Sequence, residues 1–136
     1  EQMARRACAG MECFDLLHVG LAFANIGEIR LRIGDLAGAE DAFTKAEELG
    51  ASVMPGRARL QMLQGRPAAA AVLINSALAG EPWDRLGRTR LLPDQVSITL
   101  AVEDLDTARR AATEFNTVSA ALRQQGAARC RQMHPW

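Results

Sequence analysis

The sequence predicts an all-α protein in which antiparallel helix pairs repeat and stack into a right-handed solenoid. Apolar side chains recur at spacings of three and four residues along most of the chain, which is the period of a helix, and no segment alternates as a strand does. Three turn signals interrupt this pattern at similar intervals, as expected for helical repeats. These signals are Gly34-Asp35-Leu36, Gly65-Arg66-Pro67 and Glu103-Asp104-Leu105.

The first helix pair has the clearest pattern. A helix is predicted over residues 21–33, after which Gly34 breaks the helix and Asp35 is placed to cap the next one. The second helix spans residues 36–49 and ends at Gly50. Its apolar side chains form one stripe that is predicted to face the core: Leu36, Ala39, Ala42, Phe43, Ala46 and Leu49.

The second pair and the segment before the first pair are also predicted to be helical. In the second pair, Pro67 suits the first position of a helix, and the nearly all-apolar residues 67–79 are predicted to be the most buried segment. Residues 2–18 form another helical candidate, broken or bent near Gly10.

The third pair is longer. Pro93 should start the helix of residues 85–102 late or kink it. The final helix is predicted over residues 105–125 and should end at Gly126. Its inward side chains are predicted to be Leu105, Ala108, Ala111, Ala112, Phe115, Val118 and Leu122. One domain of 136 residues is thus divided into a partial leading repeat (1–20), repeat 1 (21–50), repeat 2 (55–80), repeat 3 (85–126) and a tail (127–136).

Composition argues against several classes of function. The 16 Lys and Arg residues balance the 16 Asp and Glu residues, so the chain lacks the net positive charge of a nucleic-acid-binding protein. The longest apolar run, residues 67–79, is too short to span a bilayer. The 3 cysteines are an odd count without tight spacing, which indicates reduced thiols. We therefore expect a cytoplasmic protein that binds neither nucleic acid nor membrane.

Few side chains could carry catalysis. Cys8, Cys13 and His18 could supply zinc ligands, but no recognised ligand spacing is present, and the cysteines are better explained as small core residues. His18 is expected to be packed on an apolar helix, and His134 lies in the predicted tail, so neither is placed as the base for a nucleophile. We therefore predict no catalytic residue, no metal site, no cofactor and no enzymatic activity.

The first helix pair resembles the tetratricopeptide repeat (TPR). The resemblance lies in the following residues: Asn25-Ile26-Gly27 through Gly34-Asp35-Leu36, then Ala39, Phe43 and Ala46, and Phe23 at the place of the usual first aromatic residue. Small residues stand where the two helices of a TPR cross, because backbones approach closely only there. These small residues are Gly27, Ala39 and Ala46 in repeat 1 and Ala58, Ala70 and Ala77 in repeat 2. Repeat 3 keeps Ala108 but departs from the pattern with Val96 and Phe115 at the other two places.

A narrower resemblance covers most of residues 21–112, including the run GEIRLRIGDLAGAEDAFTKAEELG. This region looks like the helical repeats of large LuxR-type transcriptional regulators of bacteria. In that family the repeats follow an ATPase domain, precede a helix-turn-helix DNA-binding domain and are thought to sense ligands or partners. The chain contains no GxxxxGK(S/T) phosphate-binding loop. The resemblance implies the sensory or scaffold segment of such a regulator, and the alternative is a free-standing TPR adaptor that joins other proteins.

The TPR resemblance also implies a binding surface on the concave face, which the first helix of each pair lines. The predicted partner-binding residues are Leu21, Ala24, Glu28, Leu31, Arg32, Arg59, Met62 and Leu63. Two other interpretations stay open: Glu28 and Arg32 could form a surface ion pair, and Leu31 and Met62 could belong to the core. Because Glu28 would repel a carboxylate, the expected partner is a helix or extended segment of mixed apolar and basic character, or a neighbouring domain.

The ends of the repeat array lead to one more expectation. An inner repeat exposes an apolar face when its neighbour is removed, so an array of repeats needs polar ends. Residues 1–20 resemble half of a helix pair, and the tail that follows Gly126 has no evident polar pattern. We therefore expect a piece of a longer protein, with exposed apolar surface at one or both ends and self-association through that surface.

Overall fold

The computed structural model of the chain describes residues 2–80 and 85–133, with side-chain environments from Asp15 onward. Within these ranges the chain is all-α, as predicted, and contains no strand. The predictions made for the side chains of Cys8, Cys13 and His134 lie outside the described residues. The helices are α1 (Gln2–Arg32), α2 (Leu36–Glu48), α3 (Gly56–Leu63), α4 (Pro67–Gly80), α5 (Arg85–Ala101) and α6 (Leu105–Met133).

Helix α1 is continuous, so the prediction of separate helices over residues 2–18 and 21–33 is wrong. It runs without a break through Gly10 and Gly20. Gly20 is buried, and a Cβ atom there would lie 3.0 Å from the Cβ of Ala51. The glycine therefore allows a close approach between backbone segments and does not end the helix.

Helices α1, α2, α3 and α5 end in the same hydrogen-bonded turn. At the end of α1 the amide of Gly34 donates to the carbonyl of Leu31 at 3.2 Å, and the amide of Asp35 donates to that of Arg30 at 2.9 Å. This pair of bonds is the Schellman motif, and equivalent pairs close the other three helices. Each turn contains one residue with a left-handed backbone. In the first three turns this residue is Gly34, Gly50 or Gly65, and in the fourth turn it is Glu103, with a φ of 63°.

Two of these turns also cap the helix that follows. Asp35 Oδ1 accepts a hydrogen bond from the amide of Gly38 at 2.9 Å, and Asp104 Oδ1 accepts one from the amide of Thr107 at 3.1 Å. Hydrogen bonds from Thr107 also hold the pKa of Asp104 below its ordinary value. The three turn signals are therefore confirmed as turns between helices, and two of them have the same cap as well as the same closing bonds.

The chain forms two compact units, Glu1–Arg66 and Pro67–Trp136, with a boundary inside the predicted repeat 2. In the first unit, α1 and α2 pack closely, and α3 contacts both of them. The predicted stripe of α2 is confirmed, because its central residues are buried and its end residues partly buried. The core that these helices share contains Leu31, Ala39, Phe43, Ala46, Ala51, Val53 and Leu60.

Phe43 joins the three helices of the first unit. The ring is fully buried and lies against a glycine on each neighbouring helix. A Cβ atom at Gly27 of α1 would lie 2.5 Å from Phe43 Cδ1, and one at Gly56 of α3 would lie 2.6 Å from Phe43 Cζ. No side chain other than hydrogen fits at either place, so the ring fixes how closely α1 and α3 approach α2.

In the second unit, α5 packs against both α4 and α6. Arg88 of α5 connects its two neighbours: Nη1 donates to the carbonyl of Leu78 at 3.2 Å, and Nη2 donates to Glu114 Oε2 at 3.0 Å. The hydrogen bonds from Arg88 hold the pKa of Glu114 below its ordinary value, and the pKa of Arg88 is raised in turn. Gln95 Nε2 also donates to Asn75 Oδ1 at 2.8 Å, which adds a second polar link between α4 and α5.

Three predictions about α4 and α6 are wrong. Residues 67–79 are not the most buried segment, because only one stripe of α4 is buried and Val72 is 66 % exposed. Leu105 does not point inward and is 53 % exposed. Gly126 does not end α6, which continues through most of the predicted tail to Met133. Residues 127–133 contain alanine and other good helix formers and no proline, so a single exposed glycine is not enough to stop the helix.

Helix α5 includes Pro93 well inside its bounds, so the prediction that this proline delays the start of the helix is also wrong. Pro93 itself is exposed. Its neighbours Leu91 and Leu92 are buried, and tertiary packing of such residues holds the helix together where the proline removes one backbone hydrogen bond.

Candidate protein-interaction face

One side of α1 and the adjoining part of α3 form the candidate interaction face. Glu28 of α1 and Arg59 of α3 form an ion pair there, with Arg59 Nη1 donating to Glu28 Oε2 at 3.3 Å. Both side chains are partly exposed. Two residues that lie 31 positions apart in the chain, and were both predicted to line this face, are therefore in direct contact.

The packing beneath this pair explains its position. Gly56 opens α3, and a Cβ atom at that residue would collide with Glu28 Oε1 as well as with Phe43. The absence of a side chain at Gly56 therefore lets the carboxylate of Glu28 lie over the beginning of α3. From there the carboxylate reaches Arg59, which is one turn further along that helix.

The other predicted residues divide between the core and the surface. Leu31 is 8 % exposed and belongs to the core cluster, so the core interpretation is the correct one for this residue. Ala24 is partly buried against the same cluster, and Met62 is also partly buried. Leu21 and Leu63 are exposed, and each adds an apolar side chain to the surface.

The ion pair on this face is not the one that the sequence suggested. Glu28 pairs with Arg59 of another helix, so the alternative ion pair between Glu28 and Arg32 is not the one that forms. Arg32 is exposed. Because the carboxylate of Glu28 is already matched by a guanidinium group, the centre of the face is close to neutral, and the exposed leucines supply its most apolar contacts.

The sequence reading missed a second exposed surface on α1. Val19, Ala22, Ile26, Ile29 and Ile33 recur at alternating spacings of three and four residues and are all exposed. We call these five residues the isoleucine stripe. At about 100° per residue, the stripe lies about 150° around α1 from the centre of the predicted partner-binding residues, and Arg32, at about 100°, is the nearest of them. The spacing alone could have identified the stripe.

The remaining reactive groups do not converge. His18, which was expected to be packed, is exposed on α1, and Cys130 is an exposed free thiol on α6. Within the described part of the chain, no group of three metal-ligating side chains comes together. Among the same residues, no helix is long and apolar enough to cross a membrane.

Comparison with known proteins gives no relative from which residue roles could be transferred. No protein-family model, no curated protein and no solved structure matches the chain. The case for function therefore depends on the residues and contacts described above.

Proposed function

We propose that this chain is a non-catalytic helical-repeat module that binds another protein through the face formed by α1 and α3. In this proposal, its helix pairs stack as a right-handed TPR-like solenoid. It acts in the cytoplasm as the sensory or scaffold segment of a LuxR-type bacterial transcriptional regulator. The partner is a separate protein or a neighbouring domain of the longer chain.

The observation that carries the proposal is the contact between Glu28 and Arg59. It supports a shared surface made by the first helices of two consecutive predicted repeats, which is the surface that TPR-like proteins are expected to use. The packing of Phe43 against Gly27 and Gly56 supports a rigid base for that surface, since little room remains for the helices to shift. A rigid, partly apolar face loses little conformational entropy when a partner binds.

Repetition of the same turn supports the solenoid part of the proposal. The turns that join α1 to α2 and α5 to α6 share both their closing hydrogen bonds and the aspartate cap of the next helix. In the first unit, α3 contacts both helices of the preceding pair, as the first helix of a following repeat would. Each repeat in such an array is stabilised by its nearest neighbours.

Site-specific photo-crosslinking would test the interaction face. A photoreactive amino acid replaces Leu63 on the proposed face, and in a second protein it replaces Lys45, which is exposed on α2. The variants are made in the complete gene and expressed in the cells that naturally carry it. We expect a discrete crosslinked product from position 63 and none from position 45. Crosslinking only from position 45, or equally from both, would contradict the assignment of the face.

The complete reading frame would decide between a regulator segment and a free-standing adaptor. An upstream ATPase domain and a downstream helix-turn-helix in the same reading frame would support the regulator. A reading frame that contains helical repeats alone would instead favour the adaptor that joins other proteins.

A further inference from the structure

The isoleucine stripe is an apolar surface that the proposed function does not use. Its β-branched side chains are large and exposed: Ile29 is 59 % exposed and Ile33 is 73 % exposed. The core-facing residues of α1, including Gly20 and Gly27, lie about 130° away around the helix. The exposure of the stripe therefore follows from its position on a flank that α2 does not cover.

The spacing of the stripe suits another helix. Alternating steps of three and four residues keep side chains on one seam, which is the pattern by which two helices pack side by side. With Asp15, which lies on the same line, the seam runs from residue 15 to residue 33, or about 27 Å of helix. That length gives about five layers of contact with a second helix.

Charges at the ends of the seam select the partner. Asp15 lies on the seam at its amino-terminal end. Arg32 lies at the carboxyl-terminal end, about 100° around the helix from the seam, and both side chains are exposed. Arg30, also near that end, already donates to the carbonyl of Gly38, so Arg32 remains as the basic side chain that extends outward. The apolar seam thus has an acidic residue at one end and a basic side chain on its flank at the other end.

From this arrangement we infer that the isoleucine stripe is a homodimer interface, in which α1 of one copy packs antiparallel against α1 of a second copy. In this register Ile29 lies opposite Val19 of the other copy, and Ile26 lies opposite its Ala22. Asp15 of each copy approaches Arg32 of the other. A parallel pair would instead place Asp15 against Asp15, so the charges favour the antiparallel arrangement.

A two-fold symmetric pair also explains how one surface can serve both copies. An isologous interface uses the same patch twice, so each charged contact occurs twice. A single pair of helices buries less area than a standard stable interface, so association should be weak and should depend on protein concentration. The apolar contacts of this interface are independent of the face formed by α1 and α3. Arg32, which was predicted to line that face, is the one residue that the two surfaces share.

Sedimentation equilibrium of the whole chain at low salt tests the interface. We expect the average mass to rise from one chain towards two as concentration increases. Ile29→Lys should weaken dimerisation about tenfold or more, because it places a charge in the seam. Val72→Lys is the matched control, since Val72 is at least as exposed but lies on α4, and it should leave the dimerisation constant unchanged.

Charge reversal tests the antiparallel register. Asp15→Arg and Arg32→Asp should each weaken dimerisation about threefold to tenfold, because each creates two repulsive contacts per dimer. The double variant restores opposite charges across the interface and should dimerise like the parent. Circular dichroism of each variant checks that helix content is unchanged.

Three outcomes would overturn the inference. A chain that stays monomeric at every concentration would mean that the stripe is covered by something other than a second copy. Dimerisation that is lost in Val72→Lys but retained in Ile29→Lys would place the interface elsewhere. Failure of the double charge reversal to restore dimerisation lost in the single variants would rule out the antiparallel register.

Discussion

Replacing Gly27 by alanine should reveal how tightly Phe43 holds the first unit together. The added Cβ would lie 2.5 Å from Phe43 Cδ1, closer than non-bonded carbon atoms can approach, and the ring is fully buried and cannot swing away. Overpacking of this kind costs about 1–3 kcal/mol. Alanine also removes the intrinsic penalty of a helical glycine, which is about 1 kcal/mol. We therefore expect Gly27→Ala to lower the free energy of unfolding by up to about 2 kcal/mol.

The effect should change sign when the ring is absent. Phe43→Ala alone should cost about 3–5 kcal/mol, because it leaves a cavity among α1, α2 and α3. In that background the methyl group of Gly27→Ala enters the cavity, so the second substitution should recover about 1 kcal/mol through helix propensity. A substitution whose effect changes sign in the presence of a second substitution is coupled to it directly.

Urea denaturation followed by circular dichroism would measure these differences. The control is Gly126→Ala, since Gly126 also lies inside a helix but a Cβ atom there has nothing within 4 Å. It should stabilise the chain by about 0.5–1 kcal/mol whether or not Phe43 is present. If Gly27→Ala stabilised the parent chain as Gly126→Ala does, the close contact between Gly27 and Phe43 would be disproved.

Three other predictions concern the turns and the second unit. Glu103→Gly should raise the free energy of unfolding by about 0.5–1 kcal/mol, because glycine removes the strain of a left-handed φ. Gly34→Ala introduces that strain and should lower the free energy of unfolding by about 1–2 kcal/mol. If thermal denaturation gave the same sign for both substitutions, this prediction would be contradicted. Asp35→Ala should cost about 1 kcal/mol in urea denaturation through loss of the α2 cap, while Asp35→Asn should cost much less. The hydrogen bonds from Arg88 lower the pKa of Glu114, so the pair stabilises the fold fully above the ordinary carboxyl pKa, and this stability is lost as the pH falls from there through the lowered pKa. Glu114→Gln should therefore show a smaller loss of stability between about pH 6 and pH 3, and an unchanged loss would argue against the pair.

The features that the sequence predicted correctly are those fixed by local chemistry. Gly34 and Gly65 occupy left-handed positions that favour glycine, and Asp35 has the short acceptor that a helix N-terminus needs. The stripe of α2 was predictable because its apolar and charged residues separate cleanly on two faces. In each case, residues within one or two turns of each other determine the structure.

The errors arose where distant residues decide the outcome. Gly20 and Gly126 look alike in the sequence, since both are glycines in helical surroundings. The structure places Gly20 against Ala51, so close packing requires it, while Gly126 has an open environment and is simply tolerated. Neither ends a helix, because a single glycine costs only about 1 kcal/mol and the flanking residues favour the helix.

The candidate site was predictable only in part, for the same reason. The TPR resemblance brought Glu28 and Arg59 to one face, and the structure joins them. Their ion pair depends on the position of α3 relative to α1, which follows from Phe43 and Gly56 and cannot be deduced from helical periodicity. The burial of Leu31 likewise depends on the contacts of α1 with its neighbours.

The two helix pairs also show how one turn supports two different cores. Counted from the left-handed residue of each turn, Gly34 or Glu103, the residue seven positions earlier is Gly27 in the first pair and Val96 in the second. The residue nine positions later is Phe43 in the first pair and Ala112 in the second.

At these two positions the first pair has glycine and a large aromatic ring, Gly27 and Phe43. The second pair has valine and alanine, Val96 and Ala112. The two turns therefore place side chains of different size at the same register positions, while their closing hydrogen bonds and aspartate caps stay the same. The turn is therefore the part of the helix pair that repeats, because its hydrogen bonds are local, and the core of each pair follows from its own residues.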